Sequence, residues 1–383
     1  MFILIEGGEL YDPEPRGRQS ILVANDRVEK VGAIDRRALD ALDVDYVVVD
    51  ASGGVVSPGL IDPHQHLLGG SGEGSLALQS PDIFLREITR AGITSVVGTL
   101  GVDTTMKTIA GLLARVKALT EEGIAAWMWT GGYNVPPTTV MQSVREDMLF
   151  VDEVVGAGEI AISDDRSIDN VPQELAKLVR DTHVGGLLSG KAGLTHLHVG
   201  EDETRLQPLR DIIEDFHVKP EWLYPTHVQR NEKLLREAID LANAGAQVDF
   251  DTVNEDLAKW IRFYIDNGGP LDRLTVSSDS GSGTPDIFYD QLRTLVAKHD
   301  FTLDLALPLV TTNPARILKL QRKGRLAPGC DADILVLDRG TLDLREVIAR
   351  GRRMVIDGQL AVREKFLEKS KRNVTLVGDE YGR

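Results

Sequence analysis

Two histidines, His64 and His66, stand two residues apart just after the apolar run Val55-Val56-Ser57-Pro58-Gly59-Leu60-Ile61. On a strand, side chains at i and i+2 point to one face. The pair can therefore reach one metal ion from the end of a buried strand, and imidazole is a common ligand for zinc and its neighbours. Later apolar runs carry more ligand-type residues near their ends: Glu159 before Ile160-Ala161-Ile162, His198 in Leu194–Val199, His227 after Tyr224-Pro225-Thr226, and Asp279 after Leu274–Ser278. Asp279 would also serve as a cap for the loop that follows. Together, His64, His66, Glu159, His198, His227 and Asp279 imply a binuclear centre. In such a centre two divalent ions about 3.5–4 Å apart share a carboxylate and a hydroxide. Four histidines suit zinc, and manganese, cobalt or iron are compatible by ligand type. His196 shares a strand face with His198 but sits deeper, and reads as a packed or supporting residue; His183, His217 and His299 read as solvated.

These residues must be held by a repeating scaffold. Apolar strand patterns at Val55–Ile61, Ile93–Leu100, Ile124–Thr130, Glu159–Ser163, Leu194–Val199, Trp222–Val228, Gln247–Phe250 and Leu274–Asp279 alternate with amphipathic helical patterns. The helical patterns cover Pro81–Ala91, Thr104–Thr120, Gln173–Asp181, Glu203–Phe216, Asn231–Ala244, Asp256–Asn267 and Pro285–His299. Strand and helix in alternation imply parallel strands with crossover helices. Eight units close most simply into an α/β fold of the (β/α)₈ TIM-barrel type, with its site at the C-terminal strand ends. An open doubly wound sheet would normally carry a glycine-rich phosphate turn after its first strand, where this chain has His64-Gln65-His66.

The chain ends read differently. Ile21–Ala24 and Arg27–Val31 flank a hairpin-type turn at Asn25-Asp26, and Asp333–Asp338 and Arg352–Gly358 are further β-type runs. The expected organisation is a barrel over residues 54–315, flanked by one small β-sandwich domain built from residues 1–53 and 316–383.

Composition narrows the partners. A net charge of −16 argues against nucleic acid or an anionic membrane. The single cysteine, Cys330, excludes an internal disulfide framework and fits a reducing compartment. Met1–Ile5 is apolar but short, with Glu6 next, no basic region before it and no cleavage site after it. No signal peptide or membrane span is expected, and the expectation is a cytoplasmic, soluble protein.

Taken together, Pro58-Gly59-Leu60-Ile61-Asp62-Pro63-His64-Gln65-His66, the later histidines, Asp279, and Lys323-Gly324-Arg325-Leu326-Ala327-Pro328-Gly329-Cys330-Asp331-Ala332-Asp333 resemble the amidohydrolase superfamily of metal-dependent hydrolases. More narrowly, the chain is similar to the isoaspartyl (β-aspartyl) dipeptidase family. The similarity rests on Gly69-Gly70-Ser71-Gly72-Glu73-Gly74, Gly131-Gly132-Tyr133-Asn134-Val135-Pro136, Asp164-Asp165-Arg166-Ser167 and Val228-Gln229-Arg230-Asn231. The resemblance implies that Glu73 holds the substrate ammonium, Arg166 and Arg230 its carboxylates, and Tyr133 the scissile carbonyl. Chemistry agrees: a β-aspartyl dipeptide carries two carboxylates and one ammonium, which two guanidinium forks and one carboxylate complement. Asp279 would then take a proton from the attacking hydroxide and deliver it to the leaving amine.

The chain departs from the family at two points. Where the family carries a carbamylated lysine bridging two metals, this chain has Glu159, which reads as a direct carboxylate bridge. Where the family has a substrate-contacting serine, this chain has Gly283, with Ser282 or Thr284 able to substitute. The implied activity is cleavage of the isopeptide bond of small dipeptides by a zinc-type metallohydrolase. The resemblance also implies a homo-oligomer such as an octamer. The alternatives are another amidohydrolase acting on a cyclic amide or N-acyl amino acid, a nucleobase-type deaminase using His198-Val199-Gly200-Glu201, and a non-catalytic scaffold, which should have shed ligands.

Overall fold

The computed structural model describes residues 1–167 and 171–371; the rest of the 316–383 segment, residues 372–383, lies outside the described residues. Eight parallel strands form the central barrel among the described residues. Strands 1 to 6 are Leu60–Gln65, Ile93–Gly98, Ala125–Thr130, Val154–Ile162, Leu194–Val199 and Leu223–Thr226, hydrogen-bonded in that order. Strands 7 and 8, Val248–Asp251 and Leu274–Ser277, pair with each other. The Gln247 N–H donates to the Leu223 carbonyl at 3.1 Å, joining strand 7 to strand 6. The Asp279 N–H donates to the His64 carbonyl at 3.1 Å, joining the end of strand 8 to strand 1. The (β/α)₈ expectation holds.

Crossover helices bury their apolar stripes on the outside of this barrel. The helix Glu232–Asn243 shows the pattern: Leu234, Leu235, Ala238, Ile239, Leu241 and Ala242 are buried at helical spacing, and the Asn231 side chain caps the N-terminus by accepting from the Leu234 N–H. The crossover after strand 3 contains a helix, Val144–Phe150, that the sequence reading had not marked; it is only two turns long. Strand 4 also begins earlier than read, at Val154 rather than Glu159.

A second apolar core sits outside the barrel. It draws Ile3, Ile5, Leu10, Ile21, Val23 and Val28 from one chain end and Leu326, Ile334, Val336 and Ile348 from the other. One sheet here orders Arg27–Gly32, Ser20–Ala24, Phe2–Glu6 and Tyr46–Asp50. In the other, Gly54–Pro58 pairs with Ile334–Asp338 and with Glu9–Tyr11. This corrects the reading of Val55–Ile61 as one barrel strand. The chain leaves the small sheet at Pro58 and enters the barrel at Leu60. Gly59 makes the passage possible, because a Cβ there would lie 2.2 Å from the Thr94 hydroxyl oxygen. Among the described residues no helix is long and apolar enough to cross a membrane.

Candidate metal centre and substrate cavity

The cluster is assembled at the C-terminal strand ends. His64 lies near the end of strand 1 and His66 just beyond it, while Glu159 and His198 belong to strands 4 and 5. His227 and Asp279 lie one and two residues past strands 6 and 8, where the backbone turns to φ 63° and 47°. The strand ends at Thr226 and Ser277 are therefore shorter than the sequence reading had them, and the turns swing both side chains inward.

The six groups converge. Asp279 Oδ1 lies 3.2 Å from His64 Nε2 and 3.1 Å from His66 Nε2. Glu159 reaches both sides of the cluster: Oε1 is 3.5 Å from His66 Nε2, and Oε2 is 3.3 Å from His198 Nδ1 and 3.7 Å from His227 Nε2. The fit to a metal rests on atoms that have no hydrogen bond. His64 Nε2 and both Glu159 oxygens are buried without a hydrogen bond, an arrangement that is costly unless an ion satisfies it. His64, His66 and Asp279 offer ligand atoms within 4.8 Å of one another, as do His64, Glu159 and His227. Burial would raise the Glu159 carboxyl, but the imidazoles of His64, His198 and His227 outweigh it and hold it well below the usual glutamate value. The carboxylate form, which binds cations, is the one the site favours.

Two acids that the sequence reading did not single out as functional hold the far sides of the rings. Asp251 Oδ2 accepts from His227 Nδ1 at 2.8 Å and from the Gln229 amide at 2.7 Å. Asp164 Oδ2 lies 2.9 Å from His198 Nε2 and 2.8 Å from Arg166 Nη2, with Arg166 Nε 2.8 Å from Oδ1. Such partners fix the ring orientation and the nitrogen that is left to bind metal. The only signal in sequence was an acid at a strand C-terminus, as in Val248-Asp249-Phe250-Asp251.

A cavity of ≈ 390 Å³ opens above the cluster. Its wall contains His66, Glu73, Tyr133, Glu159, Arg166, His198, His227, Arg230, Asp279, Ser282 and Gly283, while His64 is buried behind it. The Tyr133 hydroxyl lies 3.0 Å from His198 Nδ1, and burial raises its pKa well above the ordinary value, so it remains a donor. Arg166 is held by Asp164 and also pairs with Glu73 at 2.8 Å. Arg230 Nε donates to the Val199 carbonyl at 2.9 Å, and its Nη1 lies 3.4 Å from Glu201. The Ser282 hydroxyl packs against Gly70, where a Cβ would meet it at 2.2 Å, and Gly283 faces open space. Thr284 lines the same wall, as do Thr252, Val253 and Ile287, which the sequence reading had not picked out.

Comparisons with known proteins agree with this construction. Residues 266–375 match the model of the amidohydrolase family. A crystal structure of β-aspartyl dipeptidase from Fervidobacterium islandicum AW-1 superposes with a TM-score of 0.90 at 34% identity, covering 95% of this chain and 100% of that one. The same enzyme in complex with the β-Asp-Leu dipeptide superposes at 0.88 with 33% identity, over the same shares. An imidazolonepropionase from Ruegeria sp. (strain TM1040) is 24% identical over 332 residues, 76% of this chain and 79% of that protein. A barrel whose strand ends carry this histidine and carboxylate cluster, matched over nearly its full length by a relative more than 30% identical, places the chain in the amidohydrolase superfamily of hydrolases.

Proposed function

We propose that this hydrolase cleaves the isopeptide bond of small β-aspartyl dipeptides. The observation that carries the reading is the joint placement of Glu73, Arg166 and Arg230 in one cavity wall with the histidine–carboxylate cluster. The likeness to a dipeptidase structure holding β-Asp-Leu supports it. His64, His66, Glu159, His198, His227 and Asp279 would hold two divalent ions, with zinc the best match to a donor set of four imidazoles and two carboxylates. When bound, such ions polarise a carbonyl and make water a nucleophile near neutral pH.

The chain's own residues supply the rest. Arg166 and Arg230 bind the two substrate carboxylates through charge-assisted hydrogen bonds, and Glu73 binds the ammonium. Glu73 and Arg166 are paired with each other, so binding replaces that pair with one from each of these residues to the substrate. The Tyr133 hydroxyl donates to the oxygen on which negative charge develops as the amide carbon becomes tetrahedral. Asp279 accepts a proton from the attacking water and passes it to the leaving amine nitrogen, whose bond to carbon then breaks.

A deaminase reading is not favoured. Glu201, which would shuttle the proton, has its side chain 81% exposed and lies outside the cavity wall. The rival N-acyl amino acid hydrolase is separated by one comparison, kcat/KM for β-Asp-Leu against its N-acetyl derivative. The dipeptidase reading predicts a strong preference for the free ammonium, which Glu73 binds. Equal or better cleavage of the acetylated compound overturns the role of Glu73 and favours the rival.

A further inference from the structure

His196 lies outside the cavity wall and takes no part in the chemistry above. It is fully buried on strand 5, two residues before His198. We infer that His196 is a positioning residue that sets the tautomer of His64 and thereby presents a bare His64 nitrogen to the metal. The inference rests on the reading of His64 as a metal ligand.

His196 Nδ1 lies 2.9 Å from the backbone carbonyl oxygen of Tyr224. A carbonyl only accepts, so Nδ1 carries the proton. In a neutral ring the other nitrogen, Nε2, is then an acceptor. It lies 2.7 Å from His64 Nδ1, which must therefore be the donor. With its proton on Nδ1, a neutral His64 has a lone pair on Nε2. That atom is the buried nitrogen without a hydrogen-bond partner, 3.2 Å from Asp279 Oδ1 and 3.7 Å from Glu159 Oε2. The direction of donation at one backbone carbonyl is thus transmitted through two imidazoles to the centre of the cluster.

The relay is held in place by packing. The Trp129 ring stacks on His196 at 4.7 Å with planes 19° apart, and its Nε1 donates to the Pro63 carbonyl at 3.0 Å. The same tryptophan therefore positions both the His196 ring and the strand segment that carries His64. Metal-bound histidines usually donate their second N–H to a carboxylate, a carbonyl or water. His227 and His198 have carboxylates, Asp251 and Asp164. His64 instead has a neutral imidazole, which adds no charge to a centre already containing Glu159 and Asp279.

The test is Zn²⁺ affinity of the metal-stripped full-length protein, measured by competition with a chromophoric chelator. His196→Phe keeps a ring against Trp129 but removes the acceptor, and should weaken binding about tenfold to a hundredfold. His196→Gln, whose side-chain carbonyl can still accept, should recover most of that loss. Wild-type affinity in a normally folded His196→Phe protein overturns the inference. Should that variant not fold, ¹⁵N NMR of the zinc-loaded wild type decides the matter. His196 protonated on Nδ1 with a bare Nε2 supports the relay, and His196 protonated on Nε2 overturns it. His64→Ala separates the two levels: if it binds zinc as tightly as wild type, the ligand reading itself fails. If it loses zinc while His196→Phe does not, only the relay fails.

Discussion

Glu73 and Arg166, carried on loops that follow strands 1 and 4, form an ion pair at 2.8 Å across the mouth of the cavity. On the proposed reading both would bind a zwitterionic substrate, and each screens the charge of the other. Half of the Glu73 side chain is solvent-exposed, so the pair itself contributes little to stability. Its consequence is kinetic. Arg166→Met should raise KM for β-Asp-Leu by about tenfold to a hundredfold, the loss of a charged hydrogen bond. Glu73→Gln should raise it less, because removing Glu73 also frees Arg166. Steady-state kinetics of the two variants and the double variant check this, and the double variant should be less impaired than the product of the two single effects.

Glu159 stands where the resembling family carries a carbamylated lysine, and it brings its own carboxylate to both sides of the cluster. Stripped protein should therefore regain full activity on adding zinc in buffers freed of carbon dioxide. Glu159→Ala should bind fewer ions per chain by elemental analysis, with activity reduced by at least about a hundredfold given the role of a shared carboxylate. A bicarbonate requirement would contradict the direct bridge.

Glu201 offers a control on the reaction class. Its exposed side chain lies 3.4 Å from Arg230. Glu201→Gln should leave kcat for dipeptide hydrolysis within about fivefold of wild type, since exposed pairs contribute at most about 1 kcal/mol. A collapse of kcat would return the strand 5 glutamate to the chemistry.

The small domain depends on a buried charge cluster. Lys323 Nζ lies 2.9 Å from Asp331 Oδ2 and 2.5 Å from Asp333 Oδ2, with its side chain 4% exposed. Lys323→Met leaves Asp333 without its charge partner and should cost about 3–5 kcal/mol, read as a lower midpoint in chemical denaturation. Burial would raise the Asp331 carboxyl, but Lys323 with Arg27 and Arg322 outweighs it and holds it below its usual value. This contribution is therefore fully present above the unfolded aspartate pKa of about 4 and is lost as pH falls below it. The wild-type advantage over Lys323→Met should shrink on acidification through that range and persist towards neutral pH.

The histidine and carboxylate cluster was legible because its residues sit where strand periodicity points, whereas the arginines and tyrosine of the cavity wall were picked out by resemblance to the motifs of a family. His64 and His66 are two apart at a strand end, and Tyr133, Arg166 and Arg230 fall in the loops after strands 3, 4 and 6. What escaped was set by geometry between distant segments. The run Val55–Ile61 is apolar apart from Ser57 and buried throughout, so it reads as one strand, although Pro58-Gly59 is the point where the chain passes from one sheet to another. The helix Val144–Phe150 is too short to display a repeat. Asp164 and Asp251 gain their roles only from the rings they meet, His198 and His227, more than twenty positions away. Asp279 and His227 were found as residue types, but the left-handed turns that aim them carry no mark in sequence, since neither position is a glycine.

The most direct test is leucine release from β-Asp-Leu and from α-Asp-Leu by the zinc-replete protein, measured side by side. The expected result is hydrolysis of the β-linked peptide with the α-linked one left intact, because in the proposed mode the two arginines and Glu73 would fix the charges of one linkage against the cluster. A protein that binds its metal and cleaves neither peptide would contradict the dipeptidase assignment and move the substrate to another amide.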